Sequence, residues 1–456
     1  MTNRTPNILF IVVDDLNSWI GALAGHPQTK TPNIDRLAGR GPLFERAYCT
    51  APYCNSSRMS VFLGLQPSSS GIYQNETADG RTYFEALRAQ GYRTATAGKV
   101  FHGTYNYADA GRHQMPEAAW LPAHDQKGKW DEAFPITPEP MPPARPLNGM
   151  FDFSRFGDVD PWNHLLDWGV LPEARADATP DAQVVRAASD FLARPRSAPF
   201  LFAAGFYKPH LPWYAPQRFF DLHPVDQITL PDVRPEELDD VPPIARQWAL
   251  NPPDHETILR HNQWHQAVQG YLAAISYCDA QIGEVLDALD ASPASDDTII
   301  VLWSDNGFHL GEKLHWRKFV LWEEATRVPL IIVPPRRSGL APRRISDPVS
   351  LVDLFPTLFD MAGLEASVGL DGRSLLPLIQ GNMPGWPVLT SWRKGNHSLR
   401  FERFRYTRYS DGNEEFYDHA ADPRERRNLA RLPLAPAALI QARTLLESAL
   451  EKSPEA

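Results

Sequence analysis

The chain has 456 residues, a formal net charge of −10 and 43% hydrophobic residues, which is enough apolar sequence for a large buried core. Three cysteines exclude a fold held by several disulfides, and the negative charge disfavours nucleic acid as a partner. With 22% charged and 11% aromatic residues, the composition also excludes a disordered chain.

The first predicted element is a buried strand. Residues 7–13 form an apolar, β-branched run, typical of a central strand that is covered on both faces. The run is too short for a signal peptide or a membrane span, so we expect a soluble, cytoplasmic protein that makes no membrane contact. Thr31 and Pro32 then predict a helix start, with Thr31 as the cap.

The next stretch of the chain loses its regular pattern. Residues 83–90 predict a short helix and residues 92–97 a strand, but between about 103 and 178 the periodicity fails. Six of the 43 prolines fall between Pro135 and Pro146, and tryptophans are frequent in the same region. Because a disordered linker would lack tryptophan, we expect long ordered loops there, packed on the core.

Helices and strands alternate again after this region. Helices are predicted at 179–193 and 265–289, and buried strands at 200–204, 298–303 and 330–333. This alternation predicts an α/β fold with a large, mostly parallel sheet flanked by helices. Ligands in that architecture bind beyond the carboxyl ends of the strands.

The pattern changes near the C-terminus. Residues 400–409 and 414–417 predict an antiparallel hairpin, and residues 435–450 predict a terminal helix. The chain therefore divides into an α/β domain over 1–385 and a small C-terminal antiparallel-sheet subdomain over 386–456.

Hard oxygen donors follow two of the predicted strands. Asp14 and Asp15 end the first strand, and Asp305 and Asn306 end the strand at 298–303. A lone Asp-Asp pair is more often a turn or a helix cap. Two such pairs that close strands of one sheet favour a divalent metal. We expect Ca²⁺, with Mg²⁺, Mn²⁺ or Zn²⁺ as alternatives.

Basic side chains occur in segments rich in glycine, proline and aromatic residues. They are Arg58, Lys99, His102, Lys208, His210 and Lys318. Singly, each is more often a solvated charge or a core histidine. Beside a bound divalent cation they would form a pocket for a tetrahedral oxyanion.

Seven segments resemble, in order, the type I sulfatases of the alkaline phosphatase superfamily. They are NILFIVVDD (7–15), TPNIDRL (31–37), APYCNSSRMSVFLG (51–64), GKVFH (98–102), KPHLP (208–212), SDNGFHLG (304–311) and EFYDHAADPRERRNL (415–429). GKVFH, KPHLPW and SYCDAQIGEVLDAL look most like the iduronate-2-sulfatase branch. The resemblance implies an alkaline phosphatase-like fold and hydrolysis of a sulfate monoester.

The resemblance also implies a modified cysteine. In that family, a formylglycine-generating enzyme converts the cysteine of a C-x-P/A-x-R motif to formylglycine, and Cys54 stands at the matching position. One hydroxyl of the hydrated aldehyde attacks sulfur, and deprotonation of the other expels sulfate by breaking a bond at carbon. The motif's usual proline or alanine is Ser56 here, which lacks proline's fixed φ. An unconverted Cys54 thiolate would suit Zn²⁺ better than Ca²⁺.

Metal ligands are carried over from the family residue by residue. They would be Asp14, Asp15, Asp305, Asn306 and the formylglycine made from Cys54.

Catalytic roles follow from the same resemblance. Arg58 and Lys99 would hold the hydrate of residue 54, and His102 would be the base for sulfate release. His210 would protonate the leaving oxygen, and Lys318 would bind sulfate oxygens.

Other basic residues are close to these in sequence. Lys313 and Arg317 lie near Lys318 and compete with it for the sulfate-binding role. His309 and His315 are expected to line the pocket or to serve the structure.

Three functions, two of them hydrolytic, remain open at this point. The leading hypothesis is a sulfuric ester hydrolase whose substrate is a small sulfate ester, with sulfated sugars among the candidates. The runner-up is a phosphonate monoester or phosphodiester hydrolase of the same superfamily, because the pocket would recognise a tetrahedral anion rather than sulfur itself. The third is a catalytically silent binding protein, against which the full set of motif residues argues.

Overall fold

A computed structural model describes residues 5–76, 80–102, 129–136, 142, 146–150, 166–366, 369–382, 385–434 and 436–451. The strands are β1 (Asn7–Asp14), β2 (Leu43–Tyr48), β3 (Arg93–Gly98), β4 (Glu132–Phe134), β5 (Trp168–Leu171), β6 (Phe200–Pro209), β7 (Trp213–Pro216), β8 (Thr298–Ser304), β9 (His309–Leu310), β10 (Trp316–Arg317), β11 (Arg327–Val333), β12 (Arg344–Ser350), β13 (Val388–Ser391), β14 (His397–Phe401), β15 (Phe404–Arg408) and β16 (Glu414–Asp418). The α helices are α1 (Pro32–Ala38), α2 (Cys54–Leu63), α3 (Pro67–Ser70), α4 (Tyr83–Ala89), α5 (Pro180–Leu192), α6 (Gln217–Phe220), α7 (Pro243–Leu250), α8 (Asp254–Arg260), α9 (Trp264–Asp290), α10 (Glu323–Thr326), α11 (Leu354–Ala362), α12 (Leu376–Ile379) and α13 (Ala437–Leu450). In this part of the chain no helix is long and apolar enough to cross a bilayer.

The main sheet has eight strands in the order β12-β2-β11-β8-β1-β6-β3-β4. Strand β1 pairs in parallel with β6 and β8, whereas β11 runs antiparallel to both of its neighbours, β8 and β2. The predicted α/β fold with a mostly parallel sheet is confirmed, but the strand predicted at 330–333 runs against the others. A run of buried apolar residues carries no information about strand direction, so this reversal could not be predicted.

Strand β1 lies inside the sheet, and all eight of its residues are buried. Because side chains alternate along a strand, Leu9 and Ile11 join the core on one face, while Ile8 and Phe10 join the core on the other. Helices α1, α5 and α9 cover the first face, and α2, α4 and α11 cover the second. The helices on both faces of the sheet thus bury β1, the strand whose end carries two of the predicted metal ligands.

The region predicted as long loops, 103–178, is described only in part. The rest of it, including three of the six prolines between Pro135 and Pro146, lies outside the described residues. The described part contains β4, β5 and a short helix, Glu173–Ala178, so it is more regular than expected. Trp130 and Trp168 are buried in the two cores, which accounts for their presence in a region without periodicity.

A second, four-stranded antiparallel sheet forms near the C-terminus, in the order β13-β14-β15-β16. The hairpin of β15 and β16 is the predicted one, but residues 400–401 belong to β14. Helix α13 begins at Ala437 and packs on this sheet through Leu439 and Leu446. The division of the chain at residue 385 stays a prediction.

The N-terminus of α1 is capped from a distant part of the chain. The helix begins at Pro32 as predicted, but the side chain of Thr31 does not cap it. Instead the Asp279 carboxylate, from α9, accepts the N–H groups of Asn33 at 3.1 Å and Ile34 at 2.8 Å. A carboxylate is favourable there because the first N–H groups of a helix lack partners and carry partial positive charge. Thr31 therefore stands at the N-cap position as predicted, but Asp279, which the local sequence does not indicate, accepts the helix N–H groups in place of its side chain.

We expect Asp279→Ala to lower the free energy of unfolding by about 2 kcal/mol, because two helix N–H groups lose their acceptor. Urea denaturation measures the change. The matched control is Asp287→Ala on the same helix, whose exposed ion pair with Arg36 should contribute about 1 kcal/mol or less. Equal losses for the two variants would contradict the capping role.

Candidate active site

The four predicted metal ligands meet at the carboxyl ends of β1 and β8, which are neighbours in the sheet. Asp14, Asp15, Asp305 and Asn306 are all buried. The Asp15 N–H donates to Asp305 Oδ1 at 3.1 Å, and Asn306 Nδ2 donates to Asp15 Oδ1 at 2.7 Å. The sequence placed these residues at two strand ends, and the structure brings them together.

The backbone at Asp15 makes the two neighbouring carboxylates converge. Successive side chains on an extended strand point to opposite faces, which would separate Asp14 from Asp15. Asp15 has a φ of 60°, in the left-handed region that costs a non-glycine residue about 1–2 kcal/mol. With this turn, both carboxylates approach Cys54, with Sγ-to-oxygen distances of 3.4 and 3.9 Å.

Cys54 is the first residue of α2, and only 2% of it is exposed. Its thiol donates to Asp14 Oδ1, and Lys318 Nζ lies 2.7 Å from Sγ. Burial, followed by the negative charges of Asp14 and Asp305, raises the pKa of the Cys54 thiol well above its usual value. A protonated thiol is a poor nucleophile, so this shift disfavours attack by an unmodified Cys54 in the metal-free protein.

Arg58 joins the two carboxylate-bearing strands. Its Nε donates to Asp305 Oδ2 at 2.7 Å, and its Nη2 lies 3.3 Å from Asp14 Oδ1. The guanidinium also donates to the carbonyl oxygens of Lys99 and Val100. Arg58 is fully buried, so these contacts replace its hydration and fix the segment that carries Lys99.

Two lysines complete the charge balance at the carboxylates. Lys99 forms an ion pair with Asp14, and Lys318 forms one with Asp15. Burial would raise the pKa of Asp14, but Lys99, His210 and Arg58 together hold it well below its usual value. Burial raises the pKa of Asp15 to about 6 despite Lys318, so a further cation would stabilise the Asp15 carboxylate.

Lys318, and neither of its two competitors in sequence, reaches Cys54. The Lys313 ammonium donates to the carbonyl oxygen of Glu425, and Arg317 Nε lies 2.5 Å from Asp254 Oδ2. Both side chains are therefore engaged in other contacts.

The two candidate histidines lie beside this group. His210 Nδ1 is 2.6 Å from the Leu211 carbonyl oxygen, which can only accept, so Nδ1 carries a proton and Nε2 faces Asp15 Oδ2 at 3.7 Å. His102 contacts the ring of Tyr53, with the ring centroids 5.8 Å apart. Its Nδ1 is buried and has no hydrogen-bond partner among the described residues. Burial, followed by the charge of a neighbouring lysine, lowers the pKa of both imidazoles well below 6.5.

Two further histidines were expected to line the pocket or serve the structure. The His315 ring bridges two carbonyl oxygens, that of Ala249 at 2.9 Å and that of Lys318 at 2.7 Å. It therefore shapes the loop that presents Lys318. His309 is buried, with Nδ1 3.0 Å from the Glu312 carbonyl oxygen.

Sequence reasoning missed Asp181, which fixes the end of β6. Its carboxylate accepts the N–H groups of Tyr207 at 2.7 Å and Lys208 at 3.1 Å, just before His210. The Lys208 ammonium donates to the Pro212 carbonyl oxygen at 2.5 Å, a contact within its own loop. The only sequence signal for Asp181 is an acid in the first turn of a predicted helix, which helix capping alone would explain.

The carboxylate and amide oxygens at this point suit a hard divalent cation. Asp14, Asp15, Cys54 and His210 offer ligand atoms that lie within 4.8 Å of one another. Asn306 Oδ1 is buried without a hydrogen-bond partner in the described ranges, and an amide oxygen of this kind is a ligand for Ca²⁺ or Mg²⁺. A thiolate and an imidazole together would instead suit Zn²⁺.

A second group of possible ligands is already compensated. Glu323, His419 and Glu425 also offer atoms within 4.8 Å of one another. Arg405 Nε, however, lies 2.5 Å from Glu425 Oε1, and the same guanidinium pairs with Glu323. The neighbouring cations lower the pKa values of the Glu323 and Glu425 carboxyls despite burial, whereas burial leaves the pKa of Asp15 raised.

Family models and the sequences of known proteins both match this chain to sulfatases. The Sulfatase family model matches residues 6–364, and a model for the C-terminal part of N-sulphoglucosamine sulphohydrolase matches residues 311–450. A sulfatase of Formosa agariphila is 36% identical over 436 residues, covering 92% of this chain and 82% of that protein. Human iduronate 2-sulfatase is 31% identical over 417 residues, covering 80% of this chain and 70% of that protein.

A solved structure supports the fold. The phosphonate monoester hydrolase of Agrobacterium radiobacter matches with a TM-score of 0.77 and 23% sequence identity, covering 97% of this chain and 95% of that chain. At this identity the likeness concerns the fold alone.

We expect Ca²⁺ to raise the melting temperature of EDTA-treated protein. Free Ca²⁺ at a hundred times its Kd should add about 2.7 kcal/mol to the free energy of unfolding. Asp15→Asn should lose most of this gain, because it removes one of the carboxylate charges that could hold the cation. Glu323→Gln is the control and should keep the gain, since Arg405 already neutralises Glu323. The reverse result would assign the metal to the Glu323 group.

Proposed function

The chain belongs to the sulfatase family, and we propose that this sulfatase cleaves its sulfate ester through a formylglycine made from Cys54, with Ca²⁺ as the bound metal. The observation that carries the proposal is that two carboxylates and one ammonium group converge on a single buried cysteine. Two carboxylates lie within 3.9 Å of Cys54 Sγ, and Lys318 Nζ lies 2.7 Å from it.

The state of the thiol supports a modified residue 54. Without a bound cation, burial and the neighbouring carboxylates raise the pKa of the Cys54 thiol, and a protonated thiol is a weak nucleophile. A hydrated aldehyde at this position would supply one hydroxyl to attack sulfur and a second whose deprotonation releases sulfate by cleavage at carbon. A partner enzyme that generates formylglycine is therefore part of the proposal.

The usual proline or alanine of the cysteine motif is Ser56 in this chain. Its buried hydroxyl donates to the Ile72 carbonyl oxygen at 2.6 Å, so the folded helix accommodates the serine without an unsatisfied polar group.

When bound, a divalent cation at Asp14, Asp15, Asp305 and Asn306 would act as a Lewis acid and screen the charge of the sulfate group. The protein's own cations act at the same place. Lys318 lies against the Cys54 sulfur, so its ammonium is positioned to bind sulfate oxygens next to the attacking group.

Arg58 and Lys99 place buried positive charges beside the carboxylates of the site. Arg58 spans Asp14 and Asp305, and Lys99 pairs with Asp14, all of them buried. We assign to both the task of orienting the hydrate at residue 54. Their positive charges would also favour the negative charge that develops on the transferred sulfate.

The two histidines suit opposite proton transfers. His102 has a buried Nδ1 without a described partner and a lowered pKa, so it is a neutral base that can take the proton whose loss releases sulfate. His210 would protonate the leaving oxygen through Nε2, because its Nδ1 already donates to Leu211. That role requires the imidazolium form, which the negative charge of a bound sulfate ester would favour.

We propose a sulfated sugar as the substrate, with a sulfated uronate as the first candidate. Human iduronate 2-sulfatase, with 31% identity across 80% of this chain, supports this choice. The tetrahedral-anion pocket alone does not distinguish the alcohol that leaves.

Hydrolysis of nitrophenyl sulfate, nitrophenyl phosphonate and bis-nitrophenyl phosphate tests the proposal. We expect kcat/KM to be highest for the sulfate ester and the Cys54 peptide to have the mass of the aldehyde. Cys54→Ala should lower kcat about a thousandfold or more, because the nucleophile is lost. Cys278→Ala removes another buried free thiol and should keep the activity. An unconverted Cys54 in fully active protein would refute the formylglycine mechanism.

The role of His210 predicts a dependence on the leaving group. An alkyl alcohol needs a proton to leave, whereas nitrophenolate leaves without one, so His210→Ala should slow alkyl sulfates about a hundredfold more than nitrophenyl sulfate. Rates of the variant and the parent on both esters measure the difference. Equal losses would rule out His210 as the acid.

A further inference from the structure

One hydroxyl connects the long helix α9 to the turn that carries the metal ligands. Tyr271 is fully buried in α9. Its hydroxyl donates to the Asp15 carbonyl oxygen at 2.7 Å and accepts the Asn17 N–H at 3.0 Å. Tyr271 therefore bonds to the backbone on both sides of Leu16, directly after β1.

The bonded turn is the one that makes Asp14 and Asp15 converge. Asp15 has a φ of 60°, and a non-glycine residue stays in that region only when its surroundings hold it there. If Asp15 relaxed to an extended conformation, its carboxylate would move away from that of Asp14. The two bonds from Tyr271 oppose this relaxation, because they fix the Asp15 carbonyl relative to the Asn17 amide.

The aromatic ring of Tyr271 is itself held firmly. It packs edge-on against Trp19 and Trp213, with centroid distances of 5.6 and 5.3 Å, and stacks on Phe308 at 5.7 Å. A ring enclosed on several sides has little rotational freedom, so the position of the hydroxyl is set by α9 and its neighbours.

Other contacts join the turn to the end of β8. The Ser304 hydroxyl accepts the Leu16 N–H at 2.9 Å and donates to the Asn306 carbonyl oxygen at 3.0 Å, and Asn17 Nδ2 donates to the Phe308 carbonyl oxygen at 2.9 Å. These bonds fix the two ligand segments relative to each other. Tyr271 adds an anchor that comes from a helix on the face of the sheet.

We propose that Tyr271 is a positioning residue for the metal: it holds the turn at Asp15, and through this turn it sets the spacing of the Asp14 and Asp15 carboxylates. The inference rests on the proposed function, because it requires a divalent cation at these ligands. Groups that orient metal ligands without touching the metal commonly change its affinity tenfold or more.

Calcium titration of EDTA-treated protein tests the inference, with Tyr271→Phe compared with Tyr277→Phe. Tyr277 lies on the same helix and is also buried, and its hydroxyl contacts Thr179 Oγ1 at 2.6 Å and the Ala176 carbonyl oxygen at 3.2 Å. Both variants lose one buried hydroxyl that forms hydrogen bonds within the protein. We expect the Kd for Ca²⁺, measured by calorimetry, to rise about tenfold in Tyr271→Phe and to stay nearly unchanged in Tyr277→Phe.

Activity as a function of Ca²⁺ gives a second measurement. If Tyr271 sets metal affinity, Tyr271→Phe should need about tenfold more Ca²⁺ for half-maximal activity and should approach the parent's kcat at saturation. The urea midpoints of the two variants without metal should be similar, since each loses comparable hydrogen bonds.

The outcomes separate the inference from the function on which it rests. If the parent binds Ca²⁺ and Tyr271→Phe binds it equally well, the positioning role is wrong and the metal site stands. If the parent takes up no Ca²⁺, Mg²⁺ or Mn²⁺, the proposed metal fails and the positioning role fails with it. A Tyr271→Phe protein that does not fold would also overturn the inference, since the hydroxyl would then serve folding.

Discussion

Three carboxylates lie together at the ends of two adjacent buried strands, and their like charges repel one another. Neighbouring cations of the site offset this repulsion. Two unit charges 4 Å apart repel by about 4 kcal/mol at an effective dielectric constant of 20. Burial adds to this cost, which is why the pKa values of Asp15 and Asp305 are raised. The compensating cations come from three separate segments of the chain: Arg58, Lys99 and Lys318. The same contacts between these segments therefore neutralise the carboxylates and form the reaction site.

The sequence predicted the sheet and its ligand-bearing ends because both depend on local patterns. A buried strand is an apolar run, and Asp14, Asp15, Asp305 and Asn306 follow two such runs directly. The direction of β11 and the cap that Asp279 provides depend on the path of the chain in three dimensions, so no local pattern could reveal them.

Local sequence alone could not show which of the neighbouring basic residues contacts Cys54. Arg317 and Lys318 are adjacent, and simple alternation would send them to opposite sides without saying which side holds the sulfate. The backbone has a φ of 80° at Arg317 and 75° at Phe319, so even the alternation does not apply. These left-handed conformations turn Lys318 toward Cys54 and leave Arg317 on Asp254. The family resemblance implies Lys318, but residue 318 lies outside the seven matching segments, and sequence spacing alone cannot supply the loop conformation that selects it over Arg317.

The burial of Cys54 has a consequence for how the enzyme matures. The residue begins α2, and Met59, Val61 and Phe62 of that helix pack into the core on one face of the sheet. If, as we propose, Cys54 is converted by a partner enzyme, an enzyme that reads this segment as an extended chain would have to displace α2 from the core of the folded protein. Under that proposal, conversion would have to precede folding of α2. The converted fraction of a preparation would then be set during synthesis, and treatment of the folded protein would not raise it.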